Sequence, residues 1–176
     1  MLMKKIKLKK GFSLLELLLV MGIIAALIIA AFIIFPKIQS SQRVNAEIGN
    51  ISAIDSGIKS LYSTTVDYSG INTTTLLKAK VFPDNMILNG LVYNSFKGRV
   101  NIEPSSYSDG EYQLTYYGVP DMECSKITSA VFNKFRQVQV NSKVIKTKYQ
   151  NITVDIASIT EMCNSNNNNR LIFNSF

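Results

Sequence analysis

Three side chains in this sequence have the type and position to do chemistry: Glu16, Cys124 and Cys163. Glu16 is followed by nineteen uncharged residues, Leu17 to Phe35. A helix needs about 20 apolar residues to cross a bilayer, so this stretch is long enough. An acid that close to hydrocarbon costs about 3 kcal/mol on insertion scales and usually has a task. Both cysteines lie beyond the apolar stretch. In an oxidising compartment they pair, and closing that loop stabilises a domain by about 3–4 kcal/mol in the chain-entropy description. The other reading is two buried free thiols. The chain has no histidine, which removes the commonest general base and the commonest metal ligand. No paired carboxylates, phosphate loop, zinc grouping or nucleophile–base set stands out, so no catalytic residue, cofactor or metal is expected.

The formal charge of +7 and pI near 9.4 would suit a nucleic-acid binder. The excess is local, however. Lys4, Lys5, Lys7, Lys9 and Lys10 precede Gly11, leaving 14 Lys+Arg against 12 Asp+Glu in residues 12–176. Basic residues placed just before a membrane segment keep that end cytoplasmic. The remainder is nearly neutral, and no direct nucleic-acid contact is expected.

The reactive side chains must be carried by elements the pattern makes visible. Ile38, Val44, Ala46, Ile48, Ile51, Ile54, Ile58, Leu61 and Tyr62 extend a stripe with helical spacing. Lys37, Gln39, Gln42, Arg43, Glu47, Asp55 and Lys59 fall on the other faces. The spacing predicts one helix from Phe12 to about Tyr62, apolar all round in its first half and amphipathic in its second. Pro36 should remove a backbone hydrogen bond and kink it. A short helix over 73–80 follows. Leu91–Asn94 and Arg99–Ile102 read as a bent strand or hairpin, and 111–118 as a strand with Tyr112, Leu114 and Tyr116 on one face. Asp121 should cap a second helix over 122–138, with Ile127, Ala130, Val131, Lys134, Phe135 and Val138 inward. Residues 143–156 read as a strand, 164–169 as a polar loop and 170–176 as a closing strand. The fold class is therefore α+β, a long helix followed by a head with an antiparallel sheet. Tyr116-Tyr117 reads as core, Lys143, Lys146 and Lys148 as an exposed face, and the two Asn-x-Thr triplets at Asn72 and Asn151 fit a glycosylation pattern that carries no meaning if the producer is bacterial and lacks the enzyme.

Three readings compete for residues 1–36. A secretory signal has the basic start, but Pro36-Lys37-Ile38-Gln39 follows Phe35 where a small-residue cleavage site belongs. A plain signal anchor leaves Glu16 without a reason. The third is a leader cut before the apolar stretch. Gly11, Phe12, Ser13, Leu14, Leu15 and Glu16 resemble the cleavage motif of type IV pilins and related pseudopilins. In that family a membrane aspartyl protease, the prepilin peptidase, cuts after the glycine and methylates the new first residue. The resemblance implies a leader over 1–11, cleavage between Gly11 and Phe12, N-methylation of Phe12 and an assembly role for Glu16. It further implies a transmembrane and assembly helix over 12–36, an amphipathic half over 37–62 and a pilin head over 63–176. The body from Val119 to Val144 and from Cys163 to Phe176 resembles type IVb pilins. The eleven-residue leader and the phenylalanine at the cut are closer to type IVa.

What the resemblance implies for function is a subunit of a type IV pilus, a helical filament of identical copies supporting adhesion, motility or DNA uptake. Its precursor would sit in the inner membrane with a cytoplasmic N-terminus and reach the cell surface on assembly. The implied partners are other copies, the peptidase, an assembly ATPase and an inner-membrane platform protein. A minor pilin or secretion-system pseudopilin is the alternative, and a membrane-anchored binding module that never polymerises is the third.

Overall fold

A computed structural model describes residues 12–64, 67–106, 110–147 and 155–175. The chain divides into two compact units, residues 1–39 and 40–176. Helix α1 is assigned without a break over Leu14–Leu61, passing through Pro36. In the first unit every described residue of the helix is exposed, as the all-round apolar composition demands when nothing covers it.

In the second unit the same helix becomes one-sided. Val44, Glu47, Ile51, Ile54 and Ile58 are buried, at spacings of three and four, and the isoleucines belong to the head's single hydrophobic core. Ala46 and Leu61, expected on that stripe, are exposed, and Ile48 is half-buried. Glu47, expected on a polar face, is fully buried. It lies in register with the apolar stripe, three residues after Val44 and four before Ile51, so the helix has to carry it inward.

Helix α2 (Thr73–Lys78) starts at Asn72, whose side chain accepts the Thr75 amide. Strands β1 (Ile87–Leu88) and β2 (Leu91–Val92) form a two-residue hairpin. Asn89 and Gly90 at its turn have φ of 50° and 73°, the left-handed pair that Asn-Gly accommodates best. The main sheet contains β3 (Val100–Pro104), β4 (Tyr112–Val119), β5 (Gln137–Val140), β6 (Lys143–Lys146) and β7 (Asn169–Asn174). Its order is β3-β4-β7-β5-β6, antiparallel throughout. The strand that comes last in sequence therefore lies in the middle. Tyr112, Leu114 and Tyr116 are buried as their alternation requires, and the Phe173 ring packs on Tyr116 and on Phe135, at 6.4 and 5.0 Å between centroids. At the β3 edge the Thr73 hydroxyl accepts the Ile102 amide and donates to its carbonyl, closing off one otherwise unpaired site.

Several expected elements are corrected. The segment 91–94 does not pair with 99–102 as a hairpin; a single bridge, Tyr93 to Arg99, joins them. Helix α3 covers Asp121–Val131 only, a 3₁₀ turn takes Phe132–Lys134, and Gln137–Val140 is a strand. Gln-Val-Gln-Val alternates with period two, and the partners β6 and β7 on either side satisfy its backbone, which outweighs the helical spacing of Phe135 and Val138. The expected strand over 143–156 shrinks to β6. Residues 148–154 lie outside the described residues, and Ile156–Met162 forms helix α4. Asp155 starts that helix by accepting the Ala157 and Ser158 amides, so the chain turns helical where alternation alone suggested a strand.

Candidate functional site

Two places in the molecule carry the residues singled out from sequence. At the first, α1 begins at Leu14, and the Leu17 amide donates to the Ser13 carbonyl at 3.1 Å. Ser13 therefore precedes the helix and Glu16 is its third residue, an acid in the first turn. A carboxylate there meets the unpaired amides and positive end of the helix dipole, a gain of about 0.3–1 kcal/mol, smaller than the cost of placing it in hydrocarbon. The first-turn position offsets only part of that cost. Phe12 is 78% exposed, and the residues from Leu14 to Phe35 present apolar surface on every side. Gly11 lies outside the described residues.

At the second place, within the head, Cys124 in the first turn of α3 and Cys163 just after α4 form a disulfide with Cα atoms 5.8 Å apart. Both are buried. The bridge fastens the two helices against each other. Asp121 does not cap α3 as expected. Pro120 holds the cap position, and the Asp121 carboxylate reaches across to the asparagine-rich segment instead. It accepts the Asn169 side-chain amide at 2.6 Å and the Ser165 and Asn167 amides at 3.3 and 3.1 Å. These bonds hold its carboxyl below the ordinary value, the Asn169 contact most strongly. A group lowered in the folded state contributes stability above its unfolded pKa and loses it as pH falls through the folded one. The stability gap between wild type and Asp121→Ala should thus be full at pH 7 and close as pH drops below 3.8, as denaturant midpoints across that range will show.

Sequence reasoning missed the buried Glu47. Its Oε1 accepts the Ser95 amide at 2.7 Å, the Ser95 hydroxyl, and the Asn50 side-chain amide at 3.3 Å. The Glu47 charge is also felt by the fully buried Tyr116 hydroxyl, whose pKa burial raises first and Glu47 second. The turn containing Ser95 is held from its other side by Asn94, whose side chain donates to the Tyr117 carbonyl at 2.8 Å and accepts the Phe96 and Gly98 amides. About two helix turns further on, Asp55 accepts the Tyr112 hydroxyl and pairs with Lys59 at 3.0 Å. Here the charged residues of the helix serve as fasteners between it and the head. The in-register spacing of Glu47 was the available signal.

Among the described residues no group of His, Cys, Asp and Glu is arranged to hold a metal ion. What the geometry presents is an acid at the start of an uncovered apolar stretch of helix, and a cross-linked, hydrogen-bonded head.

Comparison with known proteins finds a match over each of the two regions. The family described as PilS N terminal matches residues 41–176, and the prokaryotic N-terminal methylation motif matches residues 6–32. The major structural subunits of the bundle-forming pilus from Escherichia coli O127:H6 (strain E2348/69 / EPEC) and O111:H- are each 26% identical over 126 residues. That match covers 70% of this chain and 65% of theirs, so the chain spans somewhat less than two thirds of the relatives' length. Among solved structures, TcpA, a type IV pilin from Vibrio cholerae El Tor biotype, superposes with a TM-score of 0.58 at 13% identity, over 77% of this chain and 99% of that one. A type IVb pilin from Salmonella typhi gives 0.59 at 16%, over 73% and 97%. The fold is a type IV pilin fold.

Proposed function

The chain belongs to the PilS N-terminal family, and on that footing we propose that it is a structural subunit of a type IV pilus, made as a membrane precursor and polymerised through its first helix. One observation carries the reading. A methylation motif over residues 6–32 coincides with the first part of a helix, where every described apolar residue is uncovered, in a chain whose head has the pilin fold. A single copy gains nothing from such a helix outside a membrane. Many copies can bury it against one another.

In this reading residues 1–11 are a leader that prepilin peptidase removes after Gly11, and Phe12 becomes the methylated first residue. Residues 12–36 cross the inner membrane before assembly, with the lysine-rich end cytoplasmic. Residues 37–62 dock on the head, residues 63–176, which lies beyond the membrane where Cys124 and Cys163 can oxidise. The liberated Phe12 amine of an incoming copy meets Glu16 of a neighbour. Each charge then has a partner in a dry environment, which favours one axial register over slipped ones. An assembly ATPase and a membrane platform protein would supply the work. No enzymatic activity is assigned; the relatives are named as structural subunits. The bundle-forming and type IVb likenesses favour a major subunit of the IVb kind.

The test is processing. Gly11→Ala should leave the chain uncut, seen as a slower gel band and an intact mass that still includes the leader. N-terminal sequencing of wild-type surface material should begin at Phe12. Another start would sink the reading.

A further inference from the structure

We infer that Tyr62, Tyr68, Tyr112 and Asp55 form an oxidation site, in which one-electron oxidants at the surface of the head draw an electron from the buried Tyr112 through the outer two rings. The inference does not depend on how, or whether, copies of the chain join. Tyr62, just past the end of α1, and Tyr68 are half-buried, and their ring centroids lie 5.3 Å apart. Tyr68 meets Tyr112 of β4 edge to face, again at 5.3 Å, and Tyr112 is fully buried. Rings at that spacing are in contact. The path therefore runs unbroken from the surface of the head into its core.

Aromatic contact alone is ordinary core packing. What distinguishes these rings is their chemistry. Each is a phenol, the most readily oxidised aromatic ring in a chain without tryptophan. The innermost one donates its hydroxyl to the Asp55 carboxylate, which Lys59 holds in place at 3.0 Å. Burial, and then the Asp55 charge, push the Tyr112 pKa far up, so at rest the phenol keeps its proton. Loss of an electron reverses that preference, because a phenol radical cation is a strong acid and Asp55 is in contact to take the proton. Tyr116 also lies near a carboxylate, Glu47, but its ring neighbour is Phe173, which is too hard to oxidise to pass an electron on.

The oxidant, a haem-peroxidase intermediate or a small radical that such an enzyme makes, takes one electron from Tyr62 or Tyr68. Tyr112 replaces that electron, and its hydroxyl proton passes to Asp55. A neutral tyrosyl radical remains, screened from solvent and from other radicals. One electron from a small reductant such as ascorbate, with the proton returned from Asp55, restores the phenol. Without this sink, radicals on Tyr62 and Tyr68 would couple ring to ring.

The experiment uses the purified full chain in detergent, with tris(bipyridyl)ruthenium, light and persulfate as the one-electron oxidant. Frozen directly after a flash, the wild type should show the paramagnetic resonance signal of a neutral tyrosyl radical, narrowed when ring-deuterated tyrosine is incorporated. Tyr112→Phe keeps the ring and should lose that signal while gaining a Tyr62–Tyr68 cross-link, located by peptide mapping. Asp55→Asn should lose the signal as well, and Tyr68→Phe should lower it. Tyr93→Phe, off the path, should leave it unchanged. A signal undiminished in Tyr112→Phe or in Asp55→Asn overturns the site, and so does an equal loss in Tyr93→Phe.

Discussion

A Glu16→Ala chain should be cut and methylated at wild-type levels yet yield less than about 1% of the wild-type surface filament. The carboxylate lies in the third helical position, beyond the expected cut, so the peptidase substrate is left largely intact. In the proposed pairing, what is lost is the partner of the incoming Phe12 amine. An unpaired charge in hydrocarbon costs about 3 kcal/mol, roughly a hundredfold in each addition step, and a polymer repeats that loss with every subunit. The helix-dipole contribution lost with the same carboxylate is smaller and acts on folding of the first turn only. Glu16→Gln separates the two ideas, because it keeps the size and hydrogen-bonding capacity but removes the charge. It should assemble poorly as well. Shearing, sedimentation and quantitative blotting measure the yield, and intact mass confirms the cut. Normal filaments from Glu16→Ala would defeat the pairing argument.

Gly98→Ala should be the most damaging single methyl in the head. A Cβ built there falls 1.6 Å from the Tyr117 carbonyl oxygen and 2.9 Å from the Asn94 side-chain amide. Both neighbours are fixed. Tyr117 is in β4, and Asn94 bonds to that same carbonyl, so neither can yield without breaking the turn that Glu47 grips through Ser95. Overpacking of this kind costs about 3 kcal/mol or more, and for a unit of this size the melting temperature should fall by roughly 10 °C. Gly70→Ala is the control, since nothing lies within 4 Å of its built Cβ. It should melt within about a degree of wild type. Thermal unfolding of the purified chains in detergent compares the three, and an unchanged Gly98→Ala curve would remove the close approach from the account.

The parts of the fold legible in sequence were those governed by local spacing. The long helix, β4 with its inward Tyr112, Leu114 and Tyr116, and α2 follow from periods of 3.6 and 2 over enough residues to average out exceptions. The failures share a cause. Residues 132–140 carry apolar groups that fit either period, and pairing with β7, thirty residues away, decides between them. Asp155 was readable as a helix start, since an aspartate before Ile-Ala-Ser can accept two amides, but alternation upstream obscured it. Glu47 shows the opposite error. Charge was allowed to outrank position, although its place between Val44 and Ile51 put it on the buried face. Of the proposed assembly residues, Glu16 stood out because its neighbours are so uniform. Asp121 was singled out for the wrong duty, as a cap for its own helix when its bonds go to residues more than forty positions on.

The position of β7 has a consequence for how the head is made. It supplies both inner edges of the sheet, to β4 and to β5, and just after it Ser175 bonds to Tyr112 through its amide and its hydroxyl. During synthesis, β4 and β5 must each wait with one flank open until residues 169–175 have emerged. The first helix, by contrast, is ready almost at once. If the chain is the filament subunit proposed, one interrupted before that point would carry an intact first helix on an unfinished body, and inserting it would weaken the fibre at that place.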